Sequence, residues 1–199
     1  MVRNGTGSDQ STSYNLLVHF HPIEMSTMEK RANAVTFKGE GKTLVGPAIK
    51  AGDTAPDFKA LSGLSFVTLA DTPAKARIFS VVPSLDTPVC SMQTKKFDEG
   101  LAALGDKVAA YTVSLDLPFA QKRFCSAEGV KTMQTLSDVH NHSFGTSWGV
   151  LLEGLPLSLL ARSVFVVDKS GKVTYAEYVP EVTSEPNYAA ALDALKAVA

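Results

Sequence analysis

Two apolar segments constrain this chain more than any other feature. "ARIFSVVP" (76–83) and "KVAAYTVSLD" (107–116) are continuous, rich in β-branched residues and of strand length. A strand covered on one face alternates apolar and polar residues, whereas a strand covered on both faces has no need to. Between the two segments, Val89, Met92, Phe97, Leu101 and Leu104 recur near helical spacing. Strand, helix and strand in that order point to parallel pairing within a sheet that has helices on both sides.

The flanking sequence fills in the rest. "NAVTFKGEGKTLVG" (33–46) alternates around a glycine turn and predicts an N-terminal β-hairpin. "PAIKAGDTAPDFKALSG" (47–63) reads as a surface loop with one short element in it. "SFVTLAD" (65–71) and "KTMQTLSD" (131–138) read as short strands. "LPFAQKRFCSAEG" (117–129) has Pro118 in its first turn and Gly129 at its end, a helix start and stop. "ARSVFVVDKSGKVTYAEYV" (161–179) predicts a second hairpin, and "SEPNYAAALDALKAV" (184–198) a C-terminal helix opened by Ser184 and Pro186. The expected fold class is α/β, a mixed central sheet flanked by helices. One domain is expected over 31–199. Residues 1–30, polar and Ser/Thr-rich over most of their length, read as a disordered leader or an upstream-start extension. His19 and His21 in that stretch are expected to be exposed rather than metal-ligating.

Composition narrows the partners. The net charge of −1 gives no basic excess for nucleic acid or an anionic membrane surface. No apolar run approaches the roughly 20 residues that span a bilayer. Two cysteines are too few for a secreted disulfide scaffold.

Cys90 falls where the first apolar strand gives way to a helix, in "VVPSLDTPVCSMQTKKF" (81–97). Unpaired backbone N–H groups and the helix dipole favour an anion at a helix start, so a thiol placed there should lose its proton more readily. Thr87 is close enough in sequence to donate its hydroxyl hydrogen to that sulfur; an N-cap hydroxyl is the competing role. Pro83 ends the strand and Pro88 stiffens the turn. Asp86 is expected to point outward, since its charge would oppose a thiolate. Arg162 flanks an apolar strand, a pattern that by itself reads as a solvated strand end. Arg123 reads as a surface or dimer-contact residue, and His140 and His142 as exposed loop residues.

These segments together resemble the peroxiredoxins. "PSLDTPVC" fits the family pattern of Pro, three residues, Thr or Ser, two residues, Cys, filled by Pro83, Thr87 and Cys90. "LDLPFAQKRFCSAEG", "TLSD", "ARSVFVVDKSGKVTYAEYV" and "EPNYAAAL" extend the likeness to the thiol peroxidase subfamily, an atypical 2-Cys group, from about residue 31 to the end. The resemblance implies a thioredoxin-like fold and a peroxidase that uses no cofactor and no metal. It implies that Cys90 is the peroxidatic cysteine, attacking a hydroperoxide and becoming a sulfenic acid. Cys125 would be the resolving cysteine, closing an intramolecular Cys90–Cys125 disulfide that thioredoxin reduces. Thr87 would orient the peroxide, Arg162 would hold the thiolate ionised, and Pro83 would shield the sulfur. A homodimer and a cytoplasmic location are also implied.

Two other readings compete. A thiol–disulfide oxidoreductase wants C-x-x-C, and Gln93 stands where the second cysteine would be. A non-catalytic redox sensor or interaction module would switch a surface with the same two cysteines. Under the peroxidase reading, a disulfide needs Cα atoms within about 7 Å, so two cysteines on different helices imply local unwinding. The helix of Cys125, with Gly129 behind it and few strong apolar anchors, is the expected place for that opening.

Overall fold

A computed structural model describes residue 1 and residues 28–199; the leader histidines His19 and His21 lie outside the described residues. The chain opens with β1 (Lys30–Phe37) and β2 (Glu40–Val45), an antiparallel hairpin. Its turn residues Lys38 and Gly39 have φ of 52° and 81°, the paired positive values a two-residue hairpin loop requires. A second antiparallel hairpin, β3 (Lys59–Ser62) and β4 (Ser65–Thr68), follows the loop.

The expected strand–helix–strand unit is β5 (Ala76–Val81), α1 (Pro88–Leu101) and β6 (Val108–Ser114). The two strands pair in parallel, and every residue in both is buried. Next come α2 (Pro118–Glu128), β7 (Gln134–Ser137), α3 (Ser143–Ser147), β8 (Leu151–Glu153) and β9 (Leu159–Leu160). The C-terminal part is β10 (Ser163–Val167), β11 (Val173–Tyr178) and α4 (Tyr188–Lys196).

Seven strands make one mixed sheet in the order β11-β10-β5-β6-β7-β3-β4. Neighbouring residues of β5 enter different cores, as the two-residue period of a strand demands. Phe79 and Val81 pack with Phe144, Trp148 and Phe165 on one face. Ile78 packs with Phe97 and Leu101 of α1 and Leu195 of α4 on the other. The N-terminal hairpin is not at the edge of this sheet. It joins β8 and β9 in a separate four-stranded sheet, order β1-β2-β8-β9, which closes over Val35, Leu44, Leu152 and Val182.

Three details depart from the sequence reading. The buried face of α1 is Cys90, Gln93, Thr94, Phe97 and Leu101, while Met92 is 42% exposed. Helix α4 is capped by Asn187, whose side-chain oxygen accepts from the Ala190 N–H at 3.1 Å, rather than by Ser184. The stretch 138–160, where only loop histidines were expected, contains α3, β8 and β9. The stop at Gly129 is as expected: it takes a left-handed φ of 68° at the end of α2. Among the described residues no helix is long and apolar enough to cross a membrane.

Candidate active site

The turn between β5 and α1 sets the geometry. Pro88 occupies the first helical position, where its missing N–H costs nothing, so Cys90 enters in the first turn with its side chain buried. Asp116, just beyond β6, fixes the turn from below. Its carboxylate accepts from Ser84 Oγ at 2.8 Å, from the Leu85 N–H at 2.7 Å and from Ser114 Oγ at 2.9 Å.

Thr87 stands at the N-cap position, but its side chain bonds no helix N–H. Its hydroxyl lies 2.8 Å from Cys90 Sγ and 3.1 Å from the Ser84 carbonyl. A hydroxyl has one hydrogen, so Thr87 donates to Ser84 or to the sulfur, not to both. When the sulfur carries a proton it can donate to Thr87; when it carries charge, Thr87 donates to it.

Arg162 is not a solvated strand end. It is 2% exposed. Its Nε donates to the Val182 carbonyl at 2.9 Å, its Nη1 to Gln93 Oε1 at 2.6 Å, and its Nη2 reaches Cys90 Sγ at 3.4 Å. None of the ion pairs among the described residues includes it. A buried cation demands compensation; here the hydrogen-bonded oxygens are neutral, the Glu185 carboxylate interacts with the cation through charge alone, and the Cys90 sulfur in direct reach can become an anion. Gln93, fully buried, is held by its own donation to Ser80 Oγ at 2.8 Å, which turns its carbonyl oxygen toward the guanidinium.

Beside these groups lies a cavity of about 500 Å³. Pro83, Thr87 and Arg162 line its inner wall, and Phe37, Leu159 and Val182 make much of the rest apolar. Glu181 holds the β1–β2 turn at this rim, accepting from the Lys38 and Gly39 N–H groups at 3.0 Å each. These bonds, with those from the Thr183 and Thr36 hydroxyls, hold its carboxyl well below the usual range.

Cys125 lies in α2, half-buried, and both thiols are free. Burial pushes its thiol up, and the charge of Asp98 adds to that. It lines a second cavity, about 470 Å³, with Leu64, Phe119 and Lys122 among its walls. Its helix is better anchored than the sequence suggested. Phe124 packs in a small core with Val82, Leu85 and Cys90, and Gln121 is fully buried, donating to Ser114 Oγ and the Leu136 carbonyl at 3.0 Å each. Asp86 points outward as expected and pairs with Arg123 at 3.2 Å, both exposed.

The structure thus brings Cys90, Thr87, Arg162 and Pro83 together and leaves Cys125 on the neighbouring helix. Sequence reading missed Gln93 and Asp116. The histidines take no part: His140 packs on Phe66 with ring centroids 5.1 Å apart, and His142 stands at the start of α3. No three His, Cys, Asp or Glu side chains converge as a metal set among the described residues.

A reactive-looking cysteine at a helix start on a mixed α/β sheet defines a class, the thiol-dependent redox proteins. The comparisons with known proteins make it more specific. The Redoxin family model matches residues 50–192. A thiol peroxidase of Bacillus subtilis is 53% identical over 165 residues, 82% of this chain and 97% of the relative. A thiol peroxidase of Halalkalibacterium halodurans is 52% identical over 165 residues, 82% and 98% of the two chains. The crystal structure of a peroxiredoxin-like protein from Aquifex aeolicus superposes with a TM-score of 0.78 at 41% identity, over 84% of this chain and 98% of that one. The chain belongs to the Redoxin family and, within it, to the thiol peroxidases, peroxidases of the peroxiredoxin type.

Proposed function

We propose that this peroxidase reduces hydrogen peroxide and organic hydroperoxides through Cys90, resolves the product with Cys125, and is recycled by thioredoxin. The observation that carries the reading is Arg162: a buried cation whose hydrogen-bonded oxygens are neutral and whose Nη2 lies 3.4 Å from Cys90 Sγ.

In the first step the Cys90 thiolate attacks the far oxygen of the hydroperoxide. An S–O bond forms, the O–O bond breaks, and the leaving oxygen takes a proton to depart as water or alcohol. Cys90 is left as a sulfenic acid. Thr87 Oγ, already 2.8 Å from the sulfur, orients the peroxide. Arg162 stabilises the charge that passes from sulfur to oxygen, a role worth most in a site shut off from water. Pro83 walls the sulfur from bulk solvent, consistent with the complete burial of Cys90. The apolar lining of the adjacent cavity suits a hydrophobic organic hydroperoxide as well as the small parent molecule.

In the second step Cys125 attacks the sulfenic sulfur, giving the Cys90–Cys125 disulfide and water. A dithiol reductant of the thioredoxin kind then exchanges with that disulfide. A homodimer pairing near the active site is part of this reading, and Leu157, 60% exposed at the cavity rim, offers it an apolar contact.

Stopped-flow mixing with peroxide tests both roles. Cys90→Ser should consume no peroxide. Cys125→Ser should consume one equivalent and then fail to turn over with thioredoxin. Full turnover by either variant would remove that cysteine from the mechanism.

A further inference from the structure

Cys125 lines one cavity, the other is walled by Thr87 and Arg162, the two groups that reach Cys90, and no lining residue is common to the two. Cys90 is fully buried, with Phe124, the neighbour of Cys125, packed in the same small core. Cys125 itself packs against that core, so closing a disulfide between them turns on how the end of α2 can shift against α1. What holds it there is the seam between α1 and the segment that leaves α2 for β7.

Asp98 dominates that seam. It lies on α1 about two turns beyond Cys90. Its carboxylate accepts three successive backbone N–H groups, from Lys131 at 3.1 Å, Thr132 at 2.5 Å and Met133 at 2.9 Å. The other ties are apolar packing, Phe124 with Cys90 and Met133 with Phe97 and Leu101, and exposed ion pairs, Lys95–Glu128 at 2.9 Å and Asp86–Arg123 at 3.2 Å. Exposed pairs of that kind contribute little. Hydrogen bonds from backbone N–H to a charged acceptor contribute more.

We propose that Asp98 is a positioning residue for disulfide formation: its grip on residues 131–133 holds α2 against α1, and release of that grip sets how fast Cys125 reaches the oxidised Cys90. The proposal rests on the assignment of the two cysteines made above. In the step it governs, Cys125 gives up its proton and its sulfur attacks the Cys90 sulfenic sulfur. The S–S bond forms, the S–O bond breaks, and hydroxide leaves and takes that proton as water. Peroxide has already supplied the oxidising equivalents, so no further oxidant enters. The charge of Asp98 also opposes ionisation of Cys125. Of the other charged groups, Lys122 shares the cavity wall with Cys125, while Glu128 of α2 is paired with Lys95 of α1 and Arg123 of α2 with Asp86 of the turn.

The test uses the full chain as Asp98→Ala, Asp98→Asn and Cys125→Ser, each mixed with one equivalent of peroxide. Timed alkylation and intact-mass measurement follow sulfenic acid and disulfide separately. Formation of the sulfenic acid should match the parent in all three proteins. Disulfide closure should be faster in Asp98→Ala by roughly 10- to 100-fold, the factor expected when hydrogen bonds to a charged acceptor are lost from the closed form alone. Asp98→Asn keeps an acceptor oxygen without the charge, so it should accelerate closure less and move the pH midpoint of closure downward. Should Asp98→Ala not fold, Asp98→Asn decides. Closure that is unchanged or slower, with only a lower melting temperature, overturns the proposal. A Cys125→Ser protein that still forms an intramolecular disulfide overturns the cysteine assignment instead.

Discussion

Cys90 and Cys125 are the same residue in the same small core, yet their surroundings are opposites. Around Cys90 stand the Thr87 hydroxyl at 2.8 Å, able to donate to a charged sulfur, and the Arg162 guanidinium at 3.4 Å. Around Cys125 burial pushes the thiol up, and the charged group that adds to this is an acceptor, Asp98. The more deeply buried sulfur is thus the one faced by a hydroxyl and a guanidinium. Burial alone does not set reactivity at a thiol; the sign of the fixed groups aimed at it does. The same difference supports the proposed order of events, oxidation at Cys90 and resolution by Cys125.

The largest expected effect comes from removing the cation. Arg162→Met should lower the rate constant for peroxide reduction by about 10²–10³-fold, the range for deleting one preorganised donor. Alkylation of Cys125 should be unaffected. A loss under tenfold, or an equal loss at both sulfurs, would break the contrast. Thr87→Val should cost roughly 10- to 100-fold in the same rate constant, as for a hydrogen bond to a charged acceptor, and single-turnover kinetics will read it. The smallest effect concerns pH. In a Cys90→Ser background, iodoacetamide alkylation of Cys125 should rise with pH through a midpoint above the 9.0 of an unperturbed thiol, because burial and Asp98 both disfavour the thiolate. A midpoint below that value would erase the distinction drawn here.

The framework was legible in the sequence wherever periodicity was long enough to carry it. The buried runs of β5 and β6 announced a parallel pair, and the residues closing α2 behaved as their turn chemistry predicts. Short elements were not legible. Helix α3 has 5 residues, β8 has 3 and β9 has 2, too few to show a period; the strands form on the edge the N-terminal hairpin offers, and α3 starts where Asp138 accepts from the Phe144 and Gly145 N–H groups. At the site, the family pattern located Cys90, Thr87, Pro83 and Arg162. The residue pattern alone misread Arg162, because local sequence does not reveal that a buried sulfur waits across the sheet. Gln93 and Asp98 escaped for a related reason. On a helix wheel a polar residue reads as solvent-facing, yet Gln93 is fully buried and held by Ser80 and Arg162, and Asp98 serves the backbone of another segment. Met92, apolar and at the right spacing, was displaced from the core by these polar neighbours and stands 42% exposed.

The separation of the two cavities has a kinetic consequence. On the proposed mechanism a hydroperoxide over Arg162 and a reductant at Cys125 would meet walls that share no residue. A bulky hydroperoxide lodged over Arg162 would then leave the doorway of Cys125 clear, and crowding by one reactant would not starve the other.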